Sequence, residues 1–436
     1  VPHPLGVLAH FDAAVWYLGD NRLTQDPEDA LTDLFANQLP DASVAERQQY
    51  LTLSARDYLN GGGKLLFTGE TTGYYGTLGG ALGGIYYGLD GAPNQDCVVT
   101  ADPYSDCLLL ADDFTQYYLG AYSRATSSPT KLKGIAAPLV GSQANFGGSA
   151  VSDNPLDEAG SFSSTSDLLP PADFPQFSSA PSAIYKGGSG GGLTPVEGDY
   201  YVGALHTDDT FTRLGRTINL GGVAQSETPS LDFALSFDTE PRYDNVIVEA
   251  HTVGSNDWTT LPEASGLTNT NVPTGCGAGF LLDEHPFLLH YITPGHPCAP
   301  TGTTGTWNRM TRNSGGWQQV SFDLSAYAGE KVKVDISYVT DQSAGGLGAY
   351  IDDTRVVVDG TATQQEGFET GLGAWSIQAP PAGSPEVSVG FKRAKSLFSA
   401  SIATPDTLLF GFGVEQLATP DERAMVLGRA MKYLLH

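Results

Sequence analysis

The chain has 436 residues, of which 40% are apolar, and it carries 22 basic against 49 acidic residues, a net charge of −27. The length predicts two or three domains, and no apolar run is long enough to cross a bilayer. The scattered negative charge argues against nucleic acid and anionic membranes as partners and favours cations.

Strand and helix signals alternate in residues 1–125. "FDAAVWYLGDN" predicts an apolar strand that runs into a turn, and "KLLFTG" predicts a second, buried strand. Between them, "SVAERQQYLTLSARDYLNGGG" has a serine N-cap, Glu46 at the capping-box position and glycines at its end, which predicts a helix. A strand, a helix and a strand at this spacing predict a parallel sheet with a crossover helix.

The middle of the chain has two different compositions. Residues 126–198 are rich in Ser, Pro, Gly and Ala, which predicts a connector that runs over the surface. Residues 199–365 contain alternating runs, which predict an antiparallel β-sandwich followed by a return segment over residues 366–395. The runs are "RLGRTINL", "SLDFALSFDT", "NVIVEAHTV", "WQQVSFDLS", "KVKVDISYVT" and "GAYIDDTRVVV".

Residues 396–436 return to α/β signals. "TLLFGFG" is apolar on both faces, as a central parallel strand must be, and Thr419 and Pro420 begin a capped helix with acidic residues in its first turn. The predicted apolar stripe of this helix is Ala424, Leu427, Ala430, Met431 and Leu434. Because a lone parallel strand has no partner in a sandwich, we expect it to pair with the opening sheet. The sandwich is then an insertion in a discontinuous α/β domain.

The beginning of the chain offers no strand and helix ahead of the strand near Phe11, although doubly wound domains normally start with a strand. That strand therefore has the character of an internal one. We expect the chain to be the C-terminal part of a longer precursor.

The four cysteines fall into two pairs that are close in sequence, Cys97 with Cys107 and Cys276 with Cys298. Neither pair has the CxxC spacing of a zinc knuckle, and each brackets a polar, turn-rich loop. Two local disulfides formed in an oxidising compartment are therefore predicted, which indicates a secreted, extracellular protein.

Two short motifs of the α/β segments resemble class I glutamine amidotransferases. That family has a G-x-C-x-G nucleophile elbow and a late strand that ends in F-H-P-E. Here "GETTG" places Thr71 at the cysteine position, and "FGVE" places Gly413 at the histidine position and keeps Glu415. A threonine hydroxyl without a neighbouring base is a poor nucleophile, so the resemblance implies a degenerate scaffold without glutaminase activity.

The sandwich segment is similar to the jelly-roll-like accessory domain of immune inhibitor A-type metallopeptidases, and "EGFETGLGAWSI" resembles that module's closing signature. Together, the two resemblances are those of the C-terminal half of large secreted actinobacterial zinc carboxypeptidases. They imply a non-catalytic accessory region that serves stability, docking and assembly with the N-terminal part of the precursor. No histidine is followed three residues later by glutamate and no HExxH occurs, so no zinc is expected in this chain.

Carboxylates at the predicted strand ends indicate a calcium site. Ca²⁺ takes six to eight oxygen ligands, several of them carboxylates. In the similar sandwich modules a structural calcium joins an early strand to the last one, and "YIDD" matches the last-strand position. The predicted ligands are Asp209, Glu240, Asp244 and Asp352, with Asp341 as a further candidate. The alternative is that these acids are solvated or cap turns.

Two other functions remain open from the sequence. The chain could be a free-standing extracellular protein that binds carbohydrate or cell-wall glycan, or the precursor could be an active peptidase with its zinc site upstream of Val1. The histidines of "EHPFLLHYITPGHPC" (His285, His290 and His296) are spaced unevenly between prolines, which favours an ordinary loop over a metal site.

Overall fold

The computed structural model describes two compact units, residues 1–194 with 397–436 (unit 1) and residues 195–396 (unit 2). The described residues are 4–18, 52, 54–73, 85–88, 107–110, 114–147, 156, 159–187, 189–190, 195–272, 276, 281–342, 345–387 and 390–436.

Strands are the main regular structure of the described chain, and helices are few. The strands are β1 Ala13–Tyr17, β2 Lys64–Thr68, β3 Ile85–Gly88, β4 Cys107–Leu110, β5 Ala121–Ser128, β6 Lys131–Gly134, β7 Gln143–Asn145, β8 Ala159–Ser164, β9 Ala180–Lys186, β10 Ser189–Gly190, β11 Tyr201–Ala204, β12 Phe211–Asn219, β13 Pro229–Asp238, β14 Asn245–Thr252, β15 Thr259–Thr260, β16 Gln318–Asp323, β17 Lys331–Val339, β18 Gly348–Val358, β19 Thr361–Glu366, β20 Ser376–Gln378, β21 Lys392–Ala394, β22 Ser401–Ala403 and β23 Thr407–Phe410. The α-helices are α1 Pro4–Leu8, α2 over residues 54–60, α3 Thr165–Leu168, α4 Leu281–Glu284 and α5 Pro420–Leu435.

Unit 1 is built on a seven-stranded sheet in the order β1-β2-β23-β22-β9-β6-β7. β1, β2 and β23 run parallel, and the remaining pairs are antiparallel. The pairing of β23 with β2 confirms that the strand near the C-terminal end joins the opening sheet. Apolar side chains alternate between the faces of β2, so Leu66 packs with α5 and Leu65 packs with α2.

The last helix, α5, begins as its sequence predicts. The Thr419 side chain accepts from the Glu422 amide, the Glu422 side chain reaches back to the Thr419 amide, and Pro420 is the first helical residue. The predicted stripe is partly wrong, because the buried residues are Val426, Ala430 and Leu434, while Leu427 is 38% exposed. The helix therefore packs through positions i, i+4 and i+8 counted from Val426.

Residues 126–198 are not the simple connector that their composition predicts. β6 and β9 lie inside the main sheet of unit 1, and β5, β8 and β10 form a second, three-stranded sheet. All six residues of β8, "AGSFSS", are buried. Small side chains allow this close packing, as a Cβ at Gly411 would lie 1.8 Å from the Gly160 carbonyl oxygen.

Unit 2 is an antiparallel sandwich of two sheets. The first has the order β16-β13-β18-β11-β21, with β19 paired to β18, and the second has the order β15-β14-β17-β12-β20. Alternate residues of both sheets, such as Leu214, Phe233, Val248 and Ile336, form one shared core. β20 and β21 pair with β12 and β11, so the expected return segment over residues 366–395 contributes to both sheets.

The five-stranded sheet is covered at one end by a segment that we call the cap, Cys276 with residues 281–307. Leu288, Tyr291, Ile292 and Trp307 of the cap pack on the sheet together with Phe211, Ile247 and Val339. A disulfide joins Cys276 to Cys298, whose Cα atoms are 6.6 Å apart. Cys97 lies outside the described residues, so the other predicted disulfide, with Cys107, is not described.

None of the helices in the ranges given above combines the length and the apolar character that crossing a membrane requires.

Candidate metal centre

Four of the predicted acidic residues follow or precede strands that end at the same edge of the sandwich. Asp209 lies two residues before β12, Asp244 lies directly before β14, and Asp341 lies two residues after β17. The register places Phe211 and Asn245 on either side of Val339, so these three strand ends are neighbours. Glu240 comes from the opposite sheet, two residues after β13.

Three carboxylates meet closely at this edge. One oxygen each of Glu240, Asp244 and Asp341 lies within 4.8 Å of the others. Asp244 is fully buried and Asp341 is 7% exposed. Oδ1 of Asp209, of Asp244 and of Asp341 is buried without a hydrogen-bond partner. Buried carboxylate oxygens without donors are costly unless a cation or a proton neutralises them.

Backbone hydrogen bonds hold these loops in position. The Asp209 amide donates to the Asp341 carbonyl oxygen over 2.9 Å, and the Asp244 amide donates to the Glu240 carbonyl oxygen over 3.3 Å. The Glu240 amide in turn donates to Asp244 Oδ2 over 3.3 Å. Asp209 has a φ of +52°, a left-handed conformation that aspartate adopts more readily than most residues. These backbone contacts therefore position the carboxylates next to one another.

The charges of the cluster repel one another. Burial, together with the neighbouring charges of Asp244, Glu240, Glu284 and Asp209, raises the pKa of Asp341 to about 7. Burial and Asp244 also raise the pKa of Glu240. Proximity of like charges in a dry site has this effect, and a bound cation reverses it.

His206 and Tyr338 lie beside the cluster and both contact Asp244. The Tyr338 hydroxyl donates to Asp244 Oδ2 over 3.2 Å, and His206 Nδ1 lies 3.3 Å from the same oxygen. His206 Nε2 lies 3.1 Å from Asp208 Oδ1. Burial by itself lowers the pKa of His206, but the bonds to Asp244 and Asp208 outweigh it and the net shift is upward.

Glu284 is a fifth carboxylate that the sequence did not indicate. It ends α4 in the cap, and its Oε2 is buried without a hydrogen-bond partner. Burial raises its pKa, to which its interaction with Asp209 adds, while the hydrogen bond from Gln342 opposes the shift. A four-residue helix inside a loop has no periodic signal, so only the folded cap reveals this residue.

Asp352 was predicted as a ligand, but the structure places it elsewhere. It lies inside β18, opposite Ala234, next to a bulge where the register of β13 and β18 shifts. Its Oδ2 accepts from the amides of Val196 and Glu197 over 2.7 and 3.1 Å, and its Oδ1 accepts from the Asp353 amide over 2.8 Å. The carboxylate thus anchors the chain that leads into β11 instead of joining the cluster.

The positions that resemble an amidotransferase site also lie close together in the fold. Thr71 and Gly413 follow the parallel neighbours β2 and β23, and the Gly69 amide donates to the Phe412 carbonyl oxygen. The Glu70 carboxylate accepts from the Gln416 side chain over 2.6 Å. A Cβ at Gly413 would lie 2.0 Å from Glu415 Oε1, so a side chain here requires Glu415 to move.

The histidines of the cap have ordinary structural partners. His285 is fully buried, with Nε2 2.9 Å from the Thr340 carbonyl oxygen, and burial lowers its pKa. His290 Nδ1 lies 2.8 Å from Thr304 Oγ1. Within the described ranges, neither residue takes part in a cluster of three or more metal-ligating side chains.

Comparison with known proteins gives a distant similarity to a protease precursor. Over 191 residues the chain is 27% identical to the pre-pro-metalloprotease PrtV of Vibrio cholerae serotype O1, in two strains. The match covers 43% of this chain and 16% of the relative, so the chain spans a small part of the length of these curated relatives. No protein-family model matches the chain.

Proposed function

We propose that this chain is a non-catalytic, calcium-stabilised region of a secreted metalloprotease precursor. The observation that carries the calcium part is the convergence of Glu240, Asp244 and Asp341 within 4.8 Å, with buried carboxylate oxygens that have no donor. The distant similarity to a pre-pro-metalloprotease supports the precursor part.

Calcium fits this site better than a softer metal. Every candidate ligand is a carboxylate oxygen, the donor that Ca²⁺ prefers, and the loops also offer backbone carbonyl groups. Glu240, Asp244 and Asp341 form the centre, with Asp209 and Glu284 beside them. An ion here would join the loop after β13, the ends of β12, β14 and β17, and the cap. It would also remove the repulsion that raises the pKa of Asp341.

The proposed non-catalytic role rests on the motifs of the sequence. The chain contains neither HExxH nor a histidine followed three residues later by glutamate, and Thr71 and Gly413 stand where an amidotransferase has cysteine and histidine. Its contribution is then stability, docking and assembly with the N-terminal part of the precursor. The finer resemblance, to actinobacterial carboxypeptidases with an inserted accessory sandwich, is part of the same proposal.

Thermal unfolding with Ca²⁺ or EDTA tests the site. We expect EDTA to lower the Tm of unit 2 and Ca²⁺ to restore it. At a hundredfold excess of Ca²⁺ over its Kd, binding should raise the free energy of unfolding by about 2.7 kcal/mol. Asp244→Asn should lose this calcium response. Mg²⁺ at the same concentration is the matched ion control and should restore less.

Asp352→Asn is the matched control variant, because Asp352 is equally buried but lies outside the cluster. It should lower the Tm by the same amount with and without Ca²⁺. An unchanged Tm of the wild-type protein in EDTA and Ca²⁺ would remove the calcium site, as would a calcium response that survives Asp244→Asn.

Intact mass and N-terminal sequencing of everything that co-purifies from the native source test the precursor part. An upstream fragment that travels with this chain supports it. The chain secreted from its own start, with no such fragment, would contradict it and leave the calcium result unaffected.

A further inference from the structure

The cap is attached to the sheet by a second group of buried acids, separate from the metal cluster. Tyr291 of the cap is fully buried, and its hydroxyl donates to Glu249 Oε1 over 2.7 Å. The other oxygen of Glu249 accepts from the Ser337 hydroxyl. Glu249 lies in β14 and is itself fully buried. The contact between Glu249 and Tyr291 therefore joins the cap to the middle of the sheet.

A second carboxylate lies directly across from Glu249. Asp335 of β17 is its register partner and is also fully buried. Neither oxygen of Asp335 has a hydrogen-bond partner, and its neutralisation comes from two ion pairs, 3.5 Å to Arg213 and 3.6 Å to Lys333. Gly215 leaves room for this carboxylate, since a Cβ there would lie 1.9 Å from Asp335 Oδ1. The carboxylates of Glu249 and Asp335 are therefore neighbours, and both are shielded from solvent.

The charged groups around Glu249 come from every element packed against it. Arg213 faces it from β12, Asp335 from β17 and Tyr291 from the cap, while Lys333 of β17 and His251 of its own strand act on Asp335. Burial is the main reason that the pKa of Glu249 is raised to about 7; Asp335 acts in the same direction, while Arg213 and the hydrogen bonds from Ser337 and Tyr291 lower it. Burial raises the pKa of Tyr291 well above its usual value, so its hydroxyl remains a donor.

We propose that Glu249 and Tyr291 form a proton-dependent latch, which holds the cap on the five-stranded sheet while Glu249 is neutral and loosens when Glu249 ionises. In the closed form an ionised Glu249 would lie beside Asp335 without water. Opening of the cap admits water to the carboxylate, so ionisation favours the open form. An acid whose pKa is raised in the closed form stabilises that form at low pH, and this stabilisation is lost as the pH rises toward 7.

Hydrogen exchange of the cap amides in EDTA, at pH 5.5 and 8.0 and corrected for intrinsic rates, tests the latch without any metal. If the open form has an ordinary glutamate pKa, protection of the cap relative to the core of unit 1 should fall roughly 25-fold between these pH values. In Glu249→Gln, which keeps acceptors and donors for Tyr291 and Ser337, the fall should be much smaller. Asp341 and Glu284 are present in both proteins, so the difference isolates Glu249.

Tyr291→Phe is the companion variant, because it keeps the ring and removes only the hydroxyl. It should lower the hydrogen-exchange protection of the cap at pH 5.5, so that the further fall in protection between pH 5.5 and 8.0 is smaller than in wild type. The same pH dependence in wild type and Glu249→Gln would overturn the proposal. If Glu249→Gln does not fold, a carbon-13 titration of the wild-type Glu249 carboxyl decides, since a midpoint near 4.5 contradicts the latch and one near 7 supports it.

Discussion

Two aspartates of unit 2, Asp244 and Asp352, are both fully buried but have very different surroundings. Both oxygens of Asp352 accept hydrogen bonds from backbone amides, whereas Asp244 Oδ1 has no donor and two further carboxylates lie within 4.8 Å of this residue. Burial of an acid therefore does not indicate a metal ligand. The number of unmatched acceptor atoms distinguishes a site that needs a cation from one that the fold has already satisfied.

Removal of the Asp352 carboxylate should have the largest effect on stability. Asp352→Ala leaves the amides of Val196, Glu197 and Asp353 without their acceptor, so we expect a loss of about 3 kcal/mol or more. Denaturant unfolding of unit 2 measures it. The loss should be the same in Ca²⁺ and EDTA. A loss that depends on calcium would show that Asp352 belongs to the metal site after all.

The stability of the metal cluster, unlike that of the Asp352 site, should depend on pH in the calcium-free protein. The pKa of Asp341 is raised from 3.8 to about 7, so the folded state binds more protons than the unfolded chain between these values. Stability therefore falls by about 2–4 kcal/mol as the pH rises from 4 to 7, at up to 1.4 kcal/mol per unit. Unfolding in EDTA across this range should show the decline in wild type and a smaller one in Asp341→Asn.

Addition of Ca²⁺ gives the control for this experiment. A bound cation favours the ionised carboxylates, so the decline between pH 4 and 7 should shrink in saturating Ca²⁺. An equal slope in Asp341→Asn and wild type would assign the decline to other groups, such as Glu249.

Glu284 should contribute less than the three central ligands. Glu284→Gln keeps the size of the side chain and its place in the cap but removes one charge beside Asp209 and Asp341. We expect the calcium affinity to fall about tenfold, equivalent to about 1.4 kcal/mol, by isothermal titration calorimetry. Glu263→Gln is a control of the same chemistry, because the Glu263 carboxylate accepts from the Ser265 and Leu267 amides outside the cluster.

The sequence predicts the sandwich better than the rest of the fold. Strands such as β14 and β17 alternate apolar and polar residues, so their ends are correct and the acids that flank them are found. β8 is not predicted because five of its six buried residues are Ala, Gly or Ser. The buried stripe of α5 is misplaced because Val426 and Leu427 have the same polarity. The resemblance of "YIDD" to a family's ligand position points to Asp352, but its carboxylate binds the amides of Val196 and Glu197, a long-range contact that the sequence does not show. Glu284 is not predicted because the cap sequence has no helical or strand periodicity that would place this residue near the cluster.

The hydroxyl of Tyr338 should give the smallest effect and the finest test of the comparison. It donates to Asp244 Oδ2, one of the few donors that the cluster has, while its ring lies in the shared core of the sandwich. Tyr338→Phe keeps the ring and removes one of the donors to Asp244 Oδ2, which then keeps only the longer hydrogen bond from the Glu240 amide and its contact with His206, and this should cost about 1 kcal/mol in EDTA. In saturating Ca²⁺ the ion can coordinate that oxygen, so the cost should shrink. Urea unfolding in both conditions measures the two values, and a cost that is equal in EDTA and Ca²⁺ would mean that the metal does not share Asp244.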